Sequence, residues 1–118
     1  MRRHKLLLIL TVSCVACAAP QSFSAPAPAS ALRCAFGQAS AKGYSPTAGG
    51  EADGFYRLER LNAGGGALFG RKSDNLAITM AAGTLRIEAN GFDGDGDMMG
   101  PSTNAQQEAR DILAACAP

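Results

Sequence analysis

Tryptophan is absent from this 118-residue chain, and histidine occurs only once, at His4. Charged residues make up just 18% of the sequence, and its 11 Lys+Arg nearly balance its 10 Asp+Glu. Weak net charge combined with 47% hydrophobic residues excludes a disordered acidic or basic tail. A chain of this length holds one small domain at most.

The only long apolar run extends from Leu6 to Ala19 and follows a basic segment over residues 1–5. Its 14 residues are too few for a membrane-spanning helix, which needs about 20. A basic start, a short apolar run and small residues after it are typical of an export signal. We therefore predict a signal peptide over residues 1–19, with a cleavage site between residues 16 and 31.

Small residues occupy both positions that signal peptidase inspects in tripeptides that include Ala16-Cys17-Ala18, Ser22-Phe23-Ser24 and Ala27-Pro28-Ala29. Cys17 and Cys14 also follow small residues, in a pattern that partly resembles a bacterial lipoprotein box, so each is a candidate lipidation site. Residues 20–33 are rich in Pro, Ala and Ser, and are expected to be a linker that tethers a lipidated domain. Without lipidation, the same segment is interpreted as the c-region of the signal.

Loss of the signal peptide removes His4, so the remaining protein contains no histidine. This excludes serine or cysteine catalysis through a histidine relay, and it excludes histidine-ligated metals. The segment that begins at Cys34 keeps seven Lys+Arg against ten Asp+Glu, a net charge of −3. A basic surface for nucleic acid is therefore not expected, and a membrane contact is expected only through an N-terminal lipid.

Two cysteines remain, Cys34 and Cys116, at the two ends of a predicted domain over residues 34–118. In an oxidising compartment we expect them to form a disulfide. The bond closes a loop of about 80 residues, and the chain-entropy model gives it a stabilisation of about 4–5 kcal/mol. Redox catalysis is not expected, because that chemistry requires closely spaced thiols.

Alternating apolar residues predict an α+β fold built on a small antiparallel sheet, arranged as a hairpin or meander. Residues 55–61, 76–80 and 84–89 are expected to be strands, and the last two of these should form a hairpin. Residues 35–54 are expected to be mainly loop, and Asp74-Asn75 a turn before a strand. Apolar residues spaced from Ala105 to Cys116 predict one amphipathic C-terminal helix with a capping box at Thr103 and Gln106.

Asp93, Asp95 and Asp97 alternate with glycine, as the oxygen ligands of a calcium loop do. The resemblance to an EF-hand loop covers five residues only, since Met98 replaces the required glycine and Asn104 replaces the bidentate glutamate. Two hypotheses follow for this segment: a solvated acidic turn, or a calcium-binding loop that stabilises a secreted module.

No motif in the sequence requires an enzyme, and no cofactor is expected unless calcium binds the aspartate loop. We expect an exported small bacterial protein, periplasmic or secreted, or alternatively an outer-membrane lipoprotein. Its expected role is to bind another envelope or exported protein, as an inhibitor, an immunity-type protein or an accessory subunit. The candidate contacts are Phe69, Arg71 and Lys72 in one loop and the three aspartates in another.

Overall fold

The computed structural model describes residues 20–61 and 71–118. In chain order these residues form β1 (Gln21–Pro26), α1 (Ala31–Ala41), β2 (Ser45–Gly50), β3 (Phe55–Leu61), β4 (Arg71–Ala81), β5 (Thr84–Asp93), β6 (Met98–Met99) and α2 (Thr103–Cys116). All strand pairs are antiparallel. The order across the sheet is β1-β5-β4-β3-β2, and β6 also pairs with β5. The predicted α+β class, with its antiparallel sheet and C-terminal helix, is confirmed.

Both helices pack on the same face of the sheet, and the core lies between the two layers. The two helices contact each other, and within the sheet α1 contacts mainly β4 and β3, whereas α2 contacts mainly β5 and β1. The sheet supplies large aliphatic side chains, and the helices supply mostly alanines; the buried hydrophobic residues include Leu58, Leu76, Ile78, Leu85 and Ile87 from the sheet and Ala31, Ala35, Ala39, Ala105, Ala109 and Ile112 from the helices. Small helix residues opposite large strand residues allow the two layers to approach closely.

The predicted disulfide between Cys34 and Cys116 is confirmed, with a Cα–Cα separation of 5.7 Å. It joins α1 to the last residue of α2, because Cys116 lies on the buried side of that helix. The disulfide therefore connects the two helices to each other above the sheet.

The predicted hairpin is formed by β4 and β5, which a two-residue turn connects. Ala82 and Gly83 both have positive φ angles, 50° and 75°, as a type I′ turn requires. The expected turn at Asp74-Asn75 is wrong, because β4 already begins at Arg71 and both residues lie in its ladder with β5. The strand therefore begins before the alternating apolar residues that predicted it from Leu76, and its first residues are polar.

The segment over residues 20–33 is expected from the sequence to be a linker or the c-region of the signal, but in the structure it forms a strand and the start of a helix. Gln21–Pro26 is a strand that pairs with β5, and α1 begins at Ala31. The domain therefore begins before Cys34, and β1 belongs to it. The alternating burial of β1, with Phe23 half-buried toward the core, explains why this strand pairs despite its small side chains.

The expectation of mainly loop over residues 35–54 is also wrong, because it missed α1 and β2. The buried stripe of α1 is built from alanines and one leucine, and Gly37 lies within the helix, so its apolar pattern was weak. The edge strand β2 is exposed along most of its length and contains Pro46, with a register shift at Thr47.

The N-cap of the C-terminal helix α2 lies one residue before the predicted cap at Thr103, so the expected capping box at Thr103 and Gln106 is wrong. Ser102 is the N-cap, and its hydroxyl accepts a hydrogen bond from the Ala105 N–H at 3.0 Å. Within the described parts of the chain, neither helix has the length and apolar character needed to cross a membrane.

Candidate functional site: the open face of the sheet

The face of the sheet opposite the helices is polar and carries the candidate site. We call it the open face; strand register assigns to it Arg57 and Glu59 of β3, Asn75, Ala77 and Thr79 of β4, Arg86, Glu88 and Asn90 of β5, and Ser22 and Ser24 of β1. Alternation along each strand places these residues opposite the buried ones. Among the described elements, no helix covers the open face, so it is a large accessible surface of the fold.

A groove of about 270 Å³ lies on the open face. Its centre is a row of three paired residues, in which Ala77 lies between Arg57 on β3 and Glu88 on β5. Neighbouring strands are about 4.8 Å apart, so the two charged residues are separated by about 10 Å across a residue with only a methyl side chain. The groove therefore places a positive and a negative group on either side of a shallow floor.

The next row of the groove contains two paired asparagines, Asn75 and Asn90. The side-chain amide of Asn75 donates to the hydroxyl of Ser73 at 3.1 Å. The Oδ1 atom of Asn90 is buried and accepts no hydrogen bond from the described residues. Because a buried acceptor without a partner is costly, Asn90 is the polar group of the open face that gains most from a hydrogen-bond donor.

Arg57 and Glu88, the two charged residues on either side of the groove, differ in their ion pairing. Glu88 forms an ion pair with Arg86 at 3.1 Å, and the hydroxyl of Ser22 bridges both residues. Arg57 is exposed, and in residues 20–61 and 71–118 no carboxylate lies within 4.0 Å of its guanidinium. Its backbone carbonyl accepts a hydrogen bond from Thr47, at the register shift of β2. Arg57 is thus the free cation of the groove within the part described.

A second polar cluster lies on the helix side, around Arg60. Its guanidinium donates to both oxygens of Glu108 at 2.7 Å and to the carbonyl of Lys42 at 3.0 Å. It also lies 3.6 Å from a carboxylate oxygen of Asp74 and 4.3 Å above the ring of Tyr44. Hydrogen bonds to Glu108 raise the pKa of Arg60, and burial raises the pKa of Tyr44.

The Arg60 cluster connects β3, β4, the end of α1 and α2. Its carboxylates are used within the protein, because Glu108 accepts from Arg60 and Asp74 accepts from Ser102. A hollow of about 480 Å³ lies beside Arg60 and Glu108, but the charged groups that line it already have partners. We therefore interpret this cluster as structural.

The structure brings the three predicted aspartates together. One oxygen from each of Asp93, Asp95 and Asp97 lies within 4.8 Å of the others. Oδ1 of Asp93 accepts hydrogen bonds from the backbone N–H groups of Asp95 and Asp97, at 2.8 and 3.0 Å. Through these two bonds, the side chain of Asp93 stabilises the turn between β5 and β6. Calcium binding by this loop stays a prediction.

The other predicted contact residues are only partly described. Phe69, Cys14 and Cys17 lie outside the described residues, as does the side chain of Arg71. Lys72 is exposed but belongs to β4, so the expectation that Arg71 and Lys72 lie in a loop is wrong. Since Arg71 pairs with Asp93, the two predicted contact segments are neighbours at one end of the β4–β5 ladder.

The chain shows no significant match to a known protein family, to a curated protein or to a solved structure. A functional inference therefore depends on the geometry of the open face and on the sequence.

Proposed function

We propose that this chain is a small exported bacterial protein of the cell envelope that binds a protein partner through the groove of the open face. Export, to the periplasm or the exterior, is supported by the signal-like N-terminus and by the disulfide between Cys34 and Cys116. An outer-membrane lipoprotein is the alternative form of the same protein. The single observation that carries the binding role is the groove around Asn75 and Asn90.

The size and chemistry of the groove favour a protein partner over a small molecule. Its volume of about 270 Å³ is below the range of about 300–1,000 Å³ in which ligand pockets usually fall. A space of this size accepts one or two side chains. The unpartnered Oδ1 of Asn90 favours a side chain with a hydrogen-bond donor, such as an amide or a hydroxyl, and Arg57 favours a neighbouring carboxylate.

One contact residue expected from the sequence, Lys72, lies near the groove, although it belongs to a strand and not to a loop. Phe92 lines the groove and pairs with Ser73, which follows Lys72 in β4. Lys72 therefore flanks one end of the proposed surface. We propose a role without catalysis, since Glu88, the one carboxylate among the described residues that line the groove, is held by Arg86.

Site-specific photo-crosslinking in the native host tests this role. A photoreactive residue at Thr79, beside the groove, should give one adduct of defined mass, whereas the same residue at Gln38, exposed on α1, should give none. Filling the groove with Ala77→Phe in the Thr79 variant should abolish the adduct. Equal adducts at both positions, an adduct that survives Ala77→Phe, or no adduct at Thr79 would contradict the proposal.

A further inference from the structure

Strand β1 lies within the part of the chain in which the cleavage site of a signal peptide is expected. All six residues from Gln21 to Pro26 pair with β5, and the Ala27 N–H continues the contact by donating to the Gly83 carbonyl at 2.9 Å. Of the tripeptides suited to signal peptidase, Ser22-Phe23-Ser24 overlaps this strand and Ala27-Pro28-Ala29 follows it. Cleavage after Ser24 would remove the first four residues of β1, and cleavage after Ala29 would remove all of it.

The first four residues of β1 make contacts on both faces of the sheet. Phe23 packs against the core, and the guanidinium of Arg110 lies 4.9 Å from the centre of its ring. On the open face, Ser22 bonds to both Arg86 and Glu88. Without these residues β5 would present unpaired backbone groups at a new edge, and the core would lose an aromatic side chain.

We propose that signal peptidase cleaves the Ala18–Ala19 bond, so that β1 is part of the mature protein. Water hydrolyses this peptide bond, which leaves a carboxylate on Ala18 and an amine on Ala19. Of Ala16-Cys17-Ala18, Ser22-Phe23-Ser24 and Ala27-Pro28-Ala29, only the first precedes β1. The cut leaves two residues, Ala19 and Pro20, before the strand. This inference rests on the proposed export.

The intact mass of the protein, expressed from its full gene in a Gram-negative host, tests the cleavage site. The mature chain should begin at Ala19 and gain 2 Da on reduction, since reduction of one disulfide adds two hydrogens. Ala18→Leu places a bulky residue at the cleavage site and should prevent processing there. The matched control, Ser24→Leu, alters the second tripeptide at an exposed position of β1 and should leave the start at Ala19.

Other masses overturn the inference in distinguishable ways. A start at Ala25 or Ser30 shows that most or all of β1 is discarded, and an acylated start at Cys17 or Cys14 replaces the proposed hydrolysis with lipoprotein processing. A full-length precursor that stays in the cytoplasm overturns the proposed export itself.

A stability measurement tests the structural reason separately from processing. Phe23→Ala should lower the Tm of the purified protein by roughly 10 °C, because a half-buried aromatic contact is lost. Ser24→Ala, on the exposed side of the same strand, should shift the Tm by less than about 2 °C. An unchanged Tm in Phe23→Ala would show that β1 is dispensable and would remove the basis of the inference.

Discussion

The carboxylate of Asp74 accepts two hydrogen bonds from Ser102, one from its backbone N–H at 3.2 Å and one from its hydroxyl at 2.9 Å. Asp74 lies on the helix side of the sheet with only 1% of its surface exposed, and Ser102 is the N-cap of α2. The pair therefore attaches the start of the C-terminal helix to strand β4.

Removal of either partner should destabilise the protein. Asp74→Ala should lower the free energy of unfolding by about 2–3 kcal/mol, because it leaves buried groups without partners. Ser102→Ala should cost about 1–2 kcal/mol through loss of the cap. In urea unfolding, the two costs should not add in the double variant, since both remove the same contact. Ser102→Thr keeps the hydroxyl and should stay close to the original stability; strict additivity would contradict the coupling.

Tyr44 should make the protein sensitive to alkaline pH. Burial raises the pKa of Tyr44 above its ordinary value of 10.0, with the nearby Arg60 acting in the opposite direction. Between pH 10 and that raised pKa the unfolded chain loses the phenolic proton while the folded chain keeps it. The free energy of unfolding should therefore fall as pH rises above about 10.

Denaturant unfolding of Tyr44→Phe from pH 8 to pH 11 measures this effect. The variant should lose less stability than the original protein over that interval. Tyr56→Phe, which keeps a ring stacked on Phe36, is the matched control. Parallel pH profiles for the original protein and Tyr44→Phe would refute the assignment.

Replacement of Gly49 and of Gly37 by alanine should have opposite effects on the stability of the protein. Gly49 has a φ of 88°, and a Cβ there would overlap the Phe55 carbonyl oxygen and lie 2.8 Å from a ring carbon of Phe55. Gly49→Ala should therefore destabilise β2 against β3 by more than about 1 kcal/mol. Gly37 lies inside α1 with no atom within 4 Å of such a Cβ, so Gly37→Ala should stabilise by about 0.5–1 kcal/mol. Thermal unfolding of both variants checks this contrast, and equal shifts would refute it.

The stability of the aspartate loop should depend on the side chain of Asp93 and should not require calcium. Because Asp93 accepts two backbone hydrogen bonds, Asp93→Ala should lower the Tm more than Asp95→Ala in a chelating buffer. We expect millimolar calcium to leave the Tm of the original protein unchanged. A calcium-dependent rise that Asp95→Ala abolishes would instead support the calcium-binding module.

The sequence predicted those parts of the fold in which large apolar residues alternate or recur at helical spacing. The hairpin of β4 and β5 and the helix α2 follow from Ile78, Ile87 and Ile112 and their neighbours. The disulfide followed from counting cysteines. The elements that were missed, β1, α1, β2 and β6, bury few large side chains, and their stability comes from contacts distant in sequence.

The candidate site was less predictable than the fold. Alternation alone places Asn75 and Asn90 on the polar sides of their strands, but only the register shows that they face each other. Likewise, no local sequence pattern indicates that Arg60 is paired, because its partner Glu108 is 48 residues away. Both the asparagine pair and the Arg60–Glu108 pair depend on how distant segments of the chain come together. A local sequence pattern carries no information about that pairing.

The oxidation state of Cys34 depends on whether the chain extends as far as Cys116. Cys34 lies in the first helix and Cys116 ends the second, with β2 to β6 encoded between them. A chain that stops anywhere between the two cysteines keeps Cys34 as a free thiol, whereas a finished chain has none in this domain. An oxidising compartment can thus distinguish truncated from finished copies by thiol chemistry alone, before any partner is bound.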